Sequence, residues 1–442
     1  MASPETAPVE SLPVERSEPG DRNRGSPSVF IVAGDHSGDL AAAELVRALR
    51  RLEPGVRVAG LGGPAMADAG CQVLYPLVSL AIMWFRKVYG NLHRVYEVQR
   101  LALDYIDREG VDVVVPVDYP GFNFVFTRWL VRRRIPVAYY ISPQVWAWFP
   151  WRVNKLRRRV NKMLVILPFE EALYRRADVP VTYVGHPLGD VFARLPLGPS
   201  VRERLGISRD EPLVGLFPGS RDHEVGRMLP VMLKAARELS RKRPGCRYAV
   251  ACRSGVHEQV ITRLLQRFAV RADLVSDVCA LMRDSDFAYV TSGTATLQLA
   301  HFLTPMVVIY RINKVSWCVG RPFIRVPFIA LVNLVAGRRV VPEFLLTSDR
   351  PRMLAEVAEG LLRKGPARQA VIAGLREVKG IIDVPGAAEC AAREVLALAA
   401  RGREPAGKEE FVSRVFQDLL GPLVRRCCPG SGSPAAKADG RP

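Results

Sequence analysis

The stretch Val29-Phe30-Ile31-Val32-Ala33, running directly into Gly34-Asp35-His36-Ser37-Gly38-Asp39 and then into a helical segment from Leu40 to Leu52, decides the fold. Five consecutive apolar residues of this kind read as a strand buried on both faces. A strand that enters a glycine-containing turn and then a helix is the opening unit of a doubly wound α/β domain. The turn has two readings. Its backbone N–H groups and Ser37 hydroxyl can face a ligand at the head of the helix, or the glycines simply supply positive φ while Asp or Ser caps the helix. Its glycine spacing is not that of the dinucleotide fingerprint.

The unit recurs along the chain. Strands are predicted at Val56 to Leu61, Val111 to Val117, Val137 to Ile141, Met163 to Leu167 and Val181 to Val184, and Gly185-His186-Pro187-Leu188 closes a first half. After Leu195-Pro196-Leu197-Gly198-Pro199-Ser200, a linker composition, a second series begins. Its strands are Leu213 to Phe217, Tyr248 to Cys252, Phe287 to Val290 and Met306 to Tyr310, with helices at Glu224 to Arg241, Val256 to Phe268 and Thr294 to Phe302. Alternation of this kind implies parallel sheets covered by helices, and 442 residues exceed what one core usually supports. The expectation is an α/β chain of two Rossmann-like, doubly wound domains, 28–195 and 201–385, with a ligand cleft at the carboxyl ends of both sheets. From Met353 the pattern is helical through Ala400, with breaks expected at Gly365-Pro366, Gly380 and Pro385-Gly386. Residues 1–27 and 403–442 read as disordered extensions by composition, although Phe411 to Leu419 suits a short amphipathic helix.

Lys and Arg number 63 against 44 Asp and Glu, a net charge of +19. Dense runs such as Arg132-Arg133-Arg134 and Arg152 to Arg159 favour polyanions. No nucleic-acid-binding signature accompanies them, so no nucleic-acid partner is expected, and anionic lipid or sugar phosphate fits the charge. The eight cysteines form no paired framework, which suits a reducing compartment. No run reaches the roughly 18 apolar residues of a membrane span, so membrane contact is expected to be peripheral. Leu74 to Phe85, followed by Arg86 and Lys87, is an apolar segment edged with cations, as interfacial segments are. Phe323 to Val335, with Arg325 inside and Arg338-Arg339 beyond it, is similar, and buried core is the competing reading of both, stronger for the second.

Asp118 follows the most apolar strand of the first half, in Val117-Asp118-Tyr119-Pro120-Gly121-Phe122-Asn123. A carboxylate there suits proton abstraction from an attacking hydroxyl, and it also suits a plain turn before Pro and Gly. In the second half, Pro218-Gly219-Ser220-Arg221 groups a flexible residue, a hydroxyl and a guanidinium, a set suited to a diphosphate. It lacks a P-loop's lysine and spacing. Ser292-Gly293-Thr294-Ala295-Thr296 occupies the equivalent strand-to-helix crossing. No metal site or cofactor is suggested.

Read together, these segments resemble the lipid-A-disaccharide synthase family over nearly all of Ser28 to about Ala400. The resemblance is carried by residues 32–39, Gly62-Gly63-Pro64-Ala65-Met66, Asp118 to Asn123, Ile141-Ser142-Pro143-Gln144-Val145-Trp146-Ala147-Trp148 and Leu167-Pro168-Phe169-Glu170. It continues in order through Val184 to Pro187, Pro218 to Arg221, Ser292 to Ala295, Asn333 to Arg338 and Val341-Pro342-Glu343. It implies an inverting, metal-independent glycosyltransferase of GT-B type that joins a UDP-activated diacylglucosamine to a diacylglucosamine 1-phosphate through a β(1→6) bond. Asp118 then stands as general base, with His36 as the alternative, since a neutral imidazole is available near pH 7. Arg221 and Asn333 are implied donor or phosphate contacts, with Ser292, Gly293 and Thr294 in the nucleotide loop. Ser220, Gln298 and Glu343 complete the implied donor-binding set. The family's setting is cytoplasmic, peripheral on the inner face of the inner membrane. Its final helices, here 386–402, pack back on the first domain and can exchange between the subunits of a homodimer.

The chain departs from the family pattern in several places. Asp35-His36 replaces a Glu and a small residue, Gln298 replaces a Glu, a Gln is lost within Phe344-Leu345-Leu346, and Trp84 stands where a small residue is commoner. Two other functions remain open at this point: a UDP-sugar epimerase of similar build, and a non-catalytic nucleotide-sugar or lipid-binding homologue.

Overall fold

The computed structural model describes residues 25–78, 92–146, 150–194, 198–219, 221–252, 257–313, 317 and 326–402. Ser220, most of Leu74 to Phe85, the start of Phe323 to Val335 and all of Phe411 to Leu419 lie outside the described residues.

The first sheet contains β1 (Ser28–Ala33), β2 (Arg57–Leu61), β3 (Gln72–Tyr75), β4 (Val113–Val117), β5 (Ala138–Tyr140), β6 (Lys162–Val165) and β7 (Val181–Tyr183). Their order is β3-β2-β1-β4-β5-β6-β7, and neighbouring strands pair in parallel. The second contains β8 (Leu213–Phe217), β9 (Arg247–Ala251), β10 (Asp273–Val275), β11 (Phe287–Thr291), β12 (Met306–Arg311) and β13 (Glu343–Leu346), in the order β10-β9-β8-β11-β12-β13, again parallel. In each sheet the winding reverses beside the first strand, between β1 and β4 and between β8 and β11. Such a reversal opens a crevice at the strands' carboxyl ends. Register sets what borders it. Ala33 pairs with Val117, so the Gly34 turn emerges beside Asp118. Phe217 pairs with Val290, so the Pro218 turn emerges beside the Ser292 loop.

All six residues of β1 are buried, and they divide by alternation. Val29, Ile31 and Ala33 join one apolar cluster while Phe30 and Val32 join another on the opposite face, the period of two that a strand imposes. The first of these clusters also takes in Ala388, Ala391, Ala392, Val395 and Ala399 from the final helix, Ala387–Gly402. That helix lies against the helix His36–Leu52 through alanines on both sides, Ala41, Ala42 and Ala48 among them. Asp190 takes up its amino end, its two carboxylate oxygens accepting from Gly386 N and Ala388 N at 2.7 Å each. Glu394 holds its middle, accepting from the Thr182 hydroxyl at 2.9 Å and pairing with Lys162 at 3.3 Å. The preceding helix, Pro366–Ile382, packs Val371, Leu375, Val378 and Ile382 into the second half's core. It runs through Gly380 without the expected break. Val378 and Ile382, buried on either side of that position, supply the packing that offsets the poor helix propensity of one glycine.

Among the described residues, no helix is long and apolar enough to cross a membrane.

Candidate active site

A pocket lies between the two halves, walled by the carboxyl-end segments of five first-sheet strands and of β11. From the first half come Ser37 and Gly38 after β1, Asp118 after β4, Ser142, Gln144 and Trp146 after β5, Glu170 after β6, and His186 and Leu188 after β7. The second half contributes Thr294, Leu297, Gln298 and Leu331.

Asp118 is held by its backbone. Its N–H donates to Tyr140 O at 3.0 Å, and its carbonyl accepts from the Asn123 amide at 2.8 Å and the Tyr139 hydroxyl at 2.6 Å. Asp118 and Tyr119 both adopt left-handed backbone, φ 42° and 46°. Gly34 makes room for that turn, since a Cβ on it would fall 2.0 Å from the Tyr119 ring. The Asp118 carboxyl is pushed up to about 8, first by burial and next by the Asp35 carboxylate. The Tyr119 N–H and the Arg221 guanidinium act in the opposite direction. Arg221, exposed and pairing with Glu224 at 3.3 Å, therefore acts on Asp118 across the gap between the halves.

Two wall residues escaped the assignment of roles from sequence. Glu170 is buried at the third position of the helix Pro168–Arg176, where it reaches back to accept from Leu167 N at 3.1 Å, as in a capping box. Its other oxygen accepts from the Trp146 indole at 3.0 Å. Burial pushes this carboxyl up to about 7. Trp146 and Leu167 then pack with Val326, Leu331, Leu334 and Val335, an apolar contact that joins the two halves on one side of the pocket. His186, also buried, accepts from Leu188 N through Nδ1 at 3.2 Å, and burial lowers its ring to about 4. The signal available in the sequence was position: each lies just past a strand, at the end where Asp118 lies.

The turn at β1 is largely structural. Asp35 caps its helix by accepting from Gly38 N at 2.7 Å. Asp39 is fully buried and accepts from Gly63 N, Ala65 N and Met66 N at 2.9, 3.1 and 3.2 Å. Asp39 thereby ties this turn to Gly62-Gly63-Pro64-Ala65-Met66. His36 opens the helix His36–Leu52, and the pocket wall takes its neighbours Ser37 and Gly38 instead.

In the second half, Gly219 has φ 108° and Gly293 φ 154°. Thr294 and Gln298 face the pocket, and Gly293 and Ser292 precede them in the loop. The Ser292 hydroxyl donates to Ile329 O. Glu343 accepts from Ile329 N and Ala330 N, and from the Asn333 amide at 3.0 Å. Asn333 also donates to Val341 O and accepts from Val340 N and Val341 N. Its four hydrogen-bonding positions are thus filled by its own chain. Asn333 and Glu343 brace the Ile329–Ala330 backbone behind Ser292. The fold thus brings Asp118, Thr294 and Gln298 to one pocket with Arg221 in electrostatic reach, and sets Asn333 and Glu343 behind it.

The family model described as lipid-A-disaccharide synthetase matches residues 29–398. A lipid-A-disaccharide synthase of Myxococcus xanthus is 38% identical over 378 residues, covering 85% of this chain and 99% of that protein. Among solved structures, a UDP-GlcNAc 2-epimerase from Neisseria meningitidis bound to UDP-GlcNAc superposes with a TM-score of 0.58 at 11% identity, covering 85% of this chain and 100% of that one. A calicheamicin glycosyltransferase does so with a TM-score of 0.55 at 15% identity, covering 85% and 99%. At such identities the two structures speak for the fold alone, a two-domain scaffold that epimerases and glycosyltransferases share, whereas the sequence match spans both halves and every strand-end motif of the pocket. The chain belongs to the lipid-A-disaccharide synthase family.

Proposed function

We propose that this protein transfers a diacylated glucosamine from its UDP derivative to the 6-hydroxyl of a diacylated glucosamine 1-phosphate, forming a β(1→6) bond and releasing UDP. One observation carries the proposal: Asp118 from the first sheet shares a pocket with Thr294 and Gln298 of the second, and Arg221 acts on it from across the gap. In the reaction, the acceptor oxygen attacks the donor's anomeric carbon as the bond from that carbon to the β-phosphate oxygen breaks. The electron pair leaves with UDP, and the hydroxyl proton passes to Asp118. Attack opposite the leaving group inverts the anomeric centre. Arg221, with the loop Ser292 to Thr294, meets the charge that grows on the diphosphate. Asp118 is favoured over His36 as base because it lines the pocket and His36 does not.

The proposal extends to location. The net charge of +19 and the cation-edged segment Leu74 to Phe85 suit peripheral attachment to an anionic membrane surface on the cytoplasmic side, where both acylated substrates would be met. A homodimer that exchanges its final helices belongs to the same reading.

The test incubates the protein with both lipid substrates in detergent micelles and follows UDP and disaccharide. Asp118→Asn is expected to lower turnover by about 10²- to 10⁴-fold with donor binding intact. Donor binding without product in the unaltered protein would sink the proposal, and sugar interconversion without a lipid acceptor would favour the epimerase.

A further inference from the structure

His186 is a buried histidine on the pocket wall. Gly185, at φ 90°, and Pro187 fix the chain on either side of it. Its Nδ1 accepts the Leu188 N–H at 3.2 Å, and a neutral imidazole whose Nδ1 accepts carries its proton on Nε2. The ring is kept neutral by burial, against the pull of the Asp383 carboxylate. The result is an oriented, uncharged N–H donor in a wall it shares with Asp118, Thr294 and Gln298, among the apolar side chains of Leu188, Val191 and Leu297.

We propose that His186 contacts substrate, donating Nε2–H to an uncharged oxygen, a hydroxyl or an acyl carbonyl, of the acylated amino sugar in this pocket. An apolar setting and a neutral donor select such an oxygen over a phosphate, which is better met by the guanidinium of Arg221. The inference rests on the transferase reading. If the only duty of His186 were to accept the Leu188 N–H, an asparagine would serve as well, because its side-chain oxygen lies where Nδ1 lies. A glutamine cannot easily accept that N–H, but it carries an amide N–H out to the place of Nε2.

The two variants therefore separate the roles. His186→Asn is expected to keep a melting temperature near that of the unaltered protein while kcat/KM falls by roughly tenfold or more, the loss of one hydrogen bond to substrate. His186→Gln is expected to melt lower yet to retain more of kcat/KM than the asparagine variant. The opposite order of activities overturns the proposal. A second measurement does not depend on the variants folding. In protein labelled with ¹⁵N-histidine, the His186 Nε2 resonance is expected to shift on addition of the UDP-activated diacylglucosamine while Nδ1 stays in place. Absence of that shift overturns the contact. If the unaltered protein forms no disaccharide at all, it is the transferase reading that fails, and the resonance still reports whether His186 meets the donor sugar.

Discussion

Two consecutive non-glycine residues in left-handed backbone, Asp118 and Tyr119, cost roughly 1–2 kcal/mol each. The Asn123 amide and the Tyr139 hydroxyl, both closing on the Asp118 carbonyl, hold that turn in place. Its carboxyl then lies where burial and Asp35 disfavour its charged form. A base must be ionised to take a proton, so the role proposed for Asp118 predicts that kcat/KM rises with pH through a midpoint at about 8 in the free enzyme. Arg221→Gln should move that midpoint upward, since the guanidinium favours the carboxylate; an unmoved midpoint would mean that the two groups do not communicate. The same shift has a stability consequence. A carboxyl that binds its proton more tightly folded than unfolded contributes stability in full below the unfolded value of about 4, and that contribution is lost as pH rises toward 8. Asp118→Asn is therefore expected to raise the melting temperature at pH 9 and to leave it nearly unchanged at pH 3, as followed by circular dichroism. At this scale the sequence was informative about which residue types cluster and silent about how their valences are spent. The place of Asp118 on the pocket wall was readable from its position after an apolar strand, whereas nothing in the sequence showed that the Asn333 amide bonds to Val340, Val341 and Glu343.

The strands missed from sequence are β3, β10 and β13, and all three lie at sheet edges. Gln72–Tyr75, Asp273–Val275 and Glu343–Leu346 are three or four residues long and mostly half-buried, so they lack the continuous apolar run that marked β1, β4, β8 and β11. Short edge strands are a common protection against unwanted pairing, and that protection removes the signal on which sequence reading depends. The helices given bounds from sequence match to within a few residues, apart from the continuity at Gly380, but others such as Leu92–Glu109 and Pro120–Arg132 were given none. The final helix begins at Ala387, within a residue of its expected start at 386, but the residue that takes up its amino end was not legible, because Asp190 is 196 positions distant from Gly386. Asp190→Ala should cost about 1 kcal/mol, as the loss of a helix cap does, and urea denaturation checks it. A midpoint indistinguishable from that of the unaltered protein would show that the alanine packing alone fixes the helix.

For the molecule as a whole, the alternation of strands and helices foretold two parallel sheets facing one cleft, and the net charge of +19 suits an anionic surface. If net charge drives attachment, the protein should bind vesicles containing an anionic phospholipid at low salt and leave them at about 0.5 M salt, where the screening length falls to a few ångströms. Equal binding to uncharged vesicles, or binding indifferent to salt, would assign attachment to apolar segments instead. The final helix carries a consequence of another kind. Ala388, Ala391, Ala392, Val395 and Ala399 complete a core whose other members all precede residue 185. During synthesis the nascent amino-terminal sheet, roofed on this face by the helix His36–Leu52, must therefore wait with part of the face uncovered until the ribosome has translated the whole of its neighbour and returned. The half that is made first is finished last, so a fragment ending at the linker is expected to be an aggregating stump, and the uncovered face a natural client for a chaperone.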